Sequence, residues 1–388
     1  MNGFTYYTPT KVVFGLGAEA QVGDLVRAQK CKKVLIHYGS GSVQRTGLLD
    51  RIKASLDQAG VAYVELGGVV PNPRLSKARE GIALCKEQGV DFLLAVGGGS
   101  VIDSCKCIGY GVSNEGDVWD FYSTDREPEA CLPIGTVLTI AAAGSEMSNS
   151  SVITNEEGWL KRDCSSDLSR PVFSVLNPEL TVTLPDYQTA CGCVDIMMHT
   201  MERYFNSEPE NLDLTDGISE ALMRTVMDNA RILAKEPGNL KARSEIMWAG
   251  SLSHNGLTGC GTDGGDWATH LLEHEMGGMF DVAHGAGLAA VWGSWARYVW
   301  QERPDRFVKF ARNVMGVTGE GTDAEIVEQG IQAVEQFYRD IKMPTSMAEL
   351  GIAPTQAQIE EMAAKSVAEG TVKVLKYEDR VAIFQAAL

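Results

Sequence analysis

The 388-residue chain is 44% hydrophobic and carries 34 basic against 51 acidic residues, a formal net charge of −17. Its length points to two domains with sizeable cores, and its acidity works against nucleic acid and anionic membrane surfaces, leaving small molecules as the expected partners. No apolar run reaches the roughly 18–20 residues that span a bilayer, and Met1–Pro9 lacks a signal peptide's basic start and apolar core, so a cytoplasmic protein is expected.

Along the chain, the first fifteen residues, with Phe4, Tyr6, Val12, Val13 and Phe14, read as a β hairpin or an edge strand. From Lys33 to Thr139, short runs rich in apolar and β-branched residues alternate with amphipathic stretches, the pattern of β-α-β units around a parallel sheet. The clearest strands are Val34–Tyr38, Val61–Leu66, Phe92–Val96 and Leu132–Leu138; Gly47–Ala59 and Leu75–Gln88 have helical spacing and stop at Gly60 and Gly89. Beyond Pro185 the segments Ile218–Ala234, Lys241–Leu252 and Ala324–Ile341 keep a helical period, and strand-like alternation is scarce. The boundary therefore falls near Leu184–Asp186, with an α/β domain over 1–185 and an all-helical domain over 186–388. Nine scattered cysteines read as reduced thiols rather than a disulfide framework, and Cys105 with Cys107, like Cys191 with Cys193, lacks the two-residue gap of a zinc knuckle.

Two glycine clusters mark the α/β half. The strand ending at Val96 runs into Gly97-Gly98-Gly99-Ser100 and then Val101-Ile-Asp103-Ser-Cys-Lys106, a strand, glycine turn and helix start of the kind that holds phosphate on free N–H groups. The strand ending at Tyr38 is followed by Gly39-Ser40-Gly41-Ser42, where a dinucleotide site often places an acid for the adenine-ribose diol. No acid stands there, and Arg45 follows closely, so NADP(H) is favoured over NAD(H). Neither cluster fits G-x-G-x-x-G, which implies a nucleotide site of another design. Thr139 and Ser145, in the loop Thr139–Asn149, are candidates for contact with nicotinamide or phosphate.

In the helical half, Asp195 and His199 lie four residues apart on one helical face, His270 and His274 repeat the spacing, and His284 stands ten residues further on in a glycine-rich turn. Five candidates for a divalent metal site result, of the carboxylate and imidazole type that suits iron or zinc. A metalloprotease is disfavoured, because His270-Leu-Leu-Glu-His274 does not place glutamate next to the first histidine.

At this point the segments Phe14-Gly-Leu-Gly17, Gly97-Gly-Gly-Ser-Val-Ile-Asp103, Leu180-Thr-Val-Thr-Leu-Pro185 and Asp266–Gly287 together resemble the iron-containing (group III) alcohol dehydrogenases, in particular their NADP-dependent butanol dehydrogenase and broad aldehyde reductase branch. The resemblance implies an α/β nucleotide-binding domain with a parallel sheet and an all-α C-terminal metal-binding domain, the architecture shared with dehydroquinate synthase. It divides the five candidates into four ligands for one Fe2+ or Zn2+ ion, Asp195, His199, His270 and His284, and one catalytic neighbour near the nicotinamide, His274. It also implies pyrophosphate contacts at Gly98, Gly99 and Ser100, with Asp103 in the same loop motif, Thr139 and Ser145 around the nicotinamide half, and Lys161 near the adenosine ribose or its phosphate. Gly39 falls where NAD-preferring relatives carry aspartate. Asn177, standing before Pro178 where many relatives have Asp, and Ile140-Ala-Ala-Ala143 depart from the family pattern. The expected reaction is hydride transfer between NADP(H) and a small primary alcohol or aldehyde, by a homodimer. A metal- and NAD-dependent lyase of the dehydroquinate synthase type is the alternative, weakened by the absence of a Lys/Arg cluster around the histidines.

Overall fold

The computed structural model describes residues 1–205 and 212–388. Its contacts divide the chain into two compact units, Thr8–Thr183 and Met1–Tyr7 with Leu184–Leu388. Among the described residues no helix is long and apolar enough to cross a membrane.

The first unit is built on β1 (Lys11–Phe14), β2 (Lys33–Gly39), β3 (Ala62–Val69), β4 (Phe92–Gly97), β5 (Ile134–Leu138), β6 (Ser150–Asn155), β7 (Leu160–Ser165) and β8 (Phe173–Leu176). Six of these form one parallel sheet in the order β1-β8-β5-β4-β2-β3, while β6 and β7 form an antiparallel hairpin. Its helices are α1 (Val22–Arg27), α2 (Ser42–Arg45), α3 (Leu48–Gln58), α4 (Leu75–Gln88), α5 (Gly99–Ser113) and α6 (Asp120–Ser123). Every residue of β4 is buried, which accounts for its unbroken apolar run: a central parallel strand has no solvent face. One side of the sheet packs Val34, Ile36, Leu94, Val96, Val137 and Val175 against Val22, Val26, Ile52 and Leu56 of α1 and α3. On β2, His37 is fully buried; its Nδ1–H donates to the Leu66 carbonyl at 2.7 Å and its Nε2 accepts from the Ser104 hydroxyl at 2.9 Å. Burial keeps that imidazole neutral, with its pKa lowered to about 4.

The N-terminal segment contains the edge strand but no hairpin: β1 pairs in parallel with β8. The third strand runs past Leu66 because Gly67 serves packing there, not a turn; a Cβ at Gly67 would stand 2.8 Å from Cζ of Tyr38. The strand expected from Leu132 starts at Ile134, since Pro133 has no N–H to give to the ladder.

The second unit is helical, with no strand among its described residues. It comprises α7 (Asp186–Tyr204), α8 (Asp213–Leu233), α9 (Leu240–Ser253), α10 (Ala268–Phe280), α11 (His284–Val299), α12 (Pro304–Asn313), α13 (Asp323–Asp340), α14 (Met347–Leu350), α15 (Gln356–Lys365) and α16 (Tyr377–Ala386). At its centre, α7 packs against α8, α9 and α11. Asp195, His199, Glu202 and Arg203 are all buried on this one helix, and burying so many polar groups is costly unless they serve each other or a ligand. Met1–Tyr7 lies along the same unit, with the Asn2 N–H donating to the Gly261 carbonyl at 3.0 Å. The start of α11 is pressed onto α7: a Cβ at Gly285 would fall on the Cys191 carbonyl, 2.7 Å from its carbon.

Candidate metal centre

Four side chains from three helices converge at one carboxylate oxygen. Asp195 Oδ1 lies 3.6 Å from His199 Nδ1, 3.6 Å from His270 Nε2 and 3.6 Å from His284 Nε2. Asp195 and His199 come from consecutive turns of α7, His270 from the first turn of α10, and His284 is the first residue of α11. The distances are too long for hydrogen bonds, and Asp195 Oδ1, His199 Nδ1 and His270 Nε2 are buried with no hydrogen-bond partner. Ligand atoms bound at about 2.1 Å around a tetrahedral ion stand roughly 3.4 Å apart, so the spacing fits a divalent cation between them. The donor chemistry, one carboxylate and three imidazoles, suits iron or zinc. Of the four, Asp195, His199 and His270 form a buried group whose ligand atoms lie within 4.8 Å of one another, while the His284 side chain retains 28% exposure.

Two acids that the sequence reading passed over stand behind the imidazoles. Glu202 Oε1 accepts the His270 backbone N–H at 3.0 Å and lies 3.3 Å from His270 Nδ1. Glu273 Oε2 is in closest contact with His284 Nδ1. Burial opposes a charge on His270, yet the Asp195 and Glu202 carboxylates outweigh it and raise its pKa to about 9. Burial, with the neighbouring His254 and His270, holds His199 well below the ordinary range, so its ring is neutral. His254, also passed over, stacks on His199 with ring centroids 4.1 Å apart, and its Nδ1 accepts from Arg203 Nη2 at 3.1 Å. His274 stands apart from the Asp195 cluster, one turn beyond His270, with its ring 6.0 Å from that of His284. The sequence signal for the two acids was faint: Glu202 follows His199 by three residues and Glu273 follows His270 by three, each on the ligand-bearing side of its helix.

In the other unit, β2 and β4 are paired neighbours, so Gly39–Ser42 and Gly97–Ser100 both follow the C-terminal ends of adjacent parallel strands, where such sheets bind ligands. The extended Gly98 caps α5, with Gly99 and Ser100 in its first turn. The loop after β5 is drawn to this turn: Thr139 N–H donates to the Gly97 carbonyl at 3.0 Å, and a Cβ at Gly99 would lie 2.9 Å from that of Ala143. Asp103 and Ser145 are bonded to each other, the serine hydroxyl donating at 2.6 Å, while the second Asp103 oxygen accepts Val152 N–H at 3.0 Å. Lys106, fully buried and absent from the sequence-level candidates, donates to the carbonyls of Ser145, Ser148 and Ser150 at 2.9, 2.9 and 2.7 Å. Lys161 is buried on β7, across from Thr154 in the hairpin.

Gly39 has space around it, the nearest atom to an added Cβ being the Val69 carbonyl oxygen at 3.5 Å. Packing therefore does not exclude an acid there. Gly41 takes φ +134, and the Arg45 guanidinium folds back to within 3.2 Å of where its Cβ would be. Asn177 accounts for one departure from the family pattern: its Nδ2 donates to Glu19 Oε2 at 2.8 Å, a bond that an aspartate could not give.

A family model described as iron-containing alcohol dehydrogenase matches residues 9–178, and one described as Fe-containing alcohol dehydrogenase family, C-terminal, matches residues 189–388. The chain is 41% identical over 392 residues to the probable NADH-dependent butanol dehydrogenase 1 of Bacillus subtilis (strain 168), covering 100% of both chains. It is 36% identical over 359 residues to the NADPH-dependent aldehyde reductase YqhD of Escherichia coli (strain K12), covering 91% of this chain and 90% of that one. Among solved structures, NADH-dependent butanol dehydrogenase A from Thermotoga maritima superposes with a TM-score of 0.96 at 36% identity, over 100% of this chain and 99% of the other.

Proposed function

Because the chain belongs to the iron-containing alcohol dehydrogenase family, we propose that Asp195, His199, His270 and His284 hold its divalent ion and that NADP(H) is its preferred cofactor. It is an oxidoreductase, an NAD(P)H-linked alcohol dehydrogenase or aldehyde reductase, and a lyase of the dehydroquinate synthase type is not favoured. The observation that carries the metal reading is the single buried Asp195 oxygen with three imidazole nitrogens at 3.6 Å. When bound, the ion supplies Lewis-acid polarisation of a carbonyl oxygen and the dihydronicotinamide supplies the hydride.

The chain's own residues do the rest. A single carboxylate among imidazoles leaves the loaded site cationic toward the substrate oxygen, which favours charge developing there. Asp103 and Lys106 fix the loop 139–150 from beneath, and the first turn of α5 offers backbone N–H groups to a pyrophosphate. For the cofactor, the B. subtilis relative is named NADH-dependent and the E. coli relative NADPH-dependent. The open, acid-free Gly39 and the folded-back Arg45 support a 2′-phosphate. A panel of short aliphatic aldehydes, assayed with NADPH and with NADH after reconstitution by Fe(II) or Zn(II), tests this: kcat/KM is expected to be at least about tenfold higher with NADPH, about 1.4 kcal/mol for one charge-assisted contact. Equal or better use of NADH would remove the cofactor assignment and leave the activity standing.

Proton transfer is assigned to His274, buried beside His284. In His274→Ala the pH profile of kcat should lose one limb while metal content stays whole. An unchanged rate and profile would end that assignment.

A further inference from the structure

The two acids behind the histidines go beyond the four-ligand site. From their placement we infer that Glu202 and Glu273 are positioning residues that aim His270 and His284 and set how tightly the ion is held. The inference rests on the metal reading above.

An imidazole that gives one nitrogen to a cation needs its other N–H fixed, or the ring turns and the ligand wanders; a carboxylate on that N–H fixes tautomer and orientation and makes the ligating nitrogen more basic. His284 has this arrangement, and His270 approaches it, its Nδ1 lying 3.3 Å from Glu202 Oε1 without a formed hydrogen bond. His270 directs Nε2 to Asp195 and Nδ1 to Glu202, and His284 directs Nε2 to Asp195 and Nδ1 to Glu273. Neither acid is a surface residue turned inward by chance: Glu202 is 1% exposed and Glu273 0%.

The chain makes local provision for each. Glu202 reaches from α7 to α10, where its Oε1 accepts the backbone N–H of His270 at 3.0 Å, a donor that has no partner within its own first helical turn. That bond holds the carboxylate beside the ring of the same residue. Glu273 sits within α10 and meets α11 where Gly287 leaves room; a Cβ at residue 287 would come 2.8 Å from Glu273 Cγ. His284 depends most on its acid, since it is the first residue of its helix and the most exposed of the four.

The test is metal affinity, read by competition of Zn2+ against a chromophoric chelator, with the visible spectrum of the Co2+-substituted protein as a second readout. Glu202→Gln and Glu273→Gln keep shape and remove charge. Each is expected to weaken Zn2+ binding by about 10- to 100-fold and to shift the Co2+ bands in a protein that still folds. Zinc affinity within twofold and an unchanged Co2+ spectrum in both variants would overturn the inference, as would a loss of metal-free stability with affinity intact. If the glutamine variants do not fold, Glu202→Asp and Glu273→Asp keep the charge but withdraw the carboxylate by one methylene; affinity unchanged in these also overturns it. An unaltered protein that binds neither ion would instead sink the metal reading itself, a result distinct from variants that bind as well as the unaltered chain.

Discussion

His270→Ala is expected to lower kcat by about a thousandfold or more and to leave the protein with little bound metal. The size follows from what the residue holds together. His270 Nε2 is one of three imidazole nitrogens around Asp195 Oδ1, and His270 Nδ1 and N–H both face Glu202. Removing the ring takes away a proposed ligand and leaves Glu202 as a buried acid with less to compensate its charge, which is itself costly. Polarisation of a substrate oxygen by a bound ion contributes several kcal/mol at the transition state, and about 4 kcal/mol corresponds to a thousandfold in rate. Steady-state kinetics with metal analysis on the same preparation decide it. A variant that keeps one ion per chain and a rate within tenfold would show that the catalytic ion lies elsewhere.

Gly285→Ala should be damaging although it adds one methyl group and touches no titratable side chain. The new Cβ would collide with the backbone of Cys191, standing 2.7 Å from its carbonyl carbon and 2.8 Å from its Cα. Backbone in the middle of a packed helix cannot swing aside as a flexible side chain can, so the first turn of α11 has to move away from α7, taking His284 with it. Overpacking of this kind costs up to about 3 kcal/mol, which for a unit the size of Leu184–Leu388 lowers the melting temperature by roughly 6–12 °C. Gly287→Ala is the control, because there the obstruction is the Glu273 side chain. Thermal unfolding of the two variants should rank Gly285→Ala as the worse. Equal, unaltered melting points would contradict the close approach of the two helices.

Both predictions concern residues whose importance is legible in the sequence to different degrees. Asp195 with His199 and His270 with His274 repeat the same four-residue spacing, so periodicity alone gives all four equal standing. In the fold, His274 is separated from His270 by one turn of α10, and its ring lies 6.0 Å from that of His284. The family resemblance implies a division into four ligands and one neighbour, which spacing alone does not give. Glu202 and Glu273 were missed because an acid three residues from a histidine on a helix is ordinarily a solvated one, and only the packing of α7, α10 and α11 buries these two. Lys106 was missed for a related reason: a lysine looks like a surface marker, yet all of 101–111 on α5 is buried, and its ammonium satisfies three loop carbonyls. The strand β4 was plain because burial on both faces leaves an unbroken apolar run. The strand β8, four residues including Ser174, was too short to stand out, and its partner β1 lies far away along the chain.

The room around Gly39 bears on how such an enzyme diversifies. With the nearest atom 3.5 Å from an added Cβ and φ outside the range that demands glycine, residue 39 accepts a side chain without repacking anything beneath it. If the proposed cofactor site is right, this position can vary in charge independently of the helices that carry the proposed metal ligands.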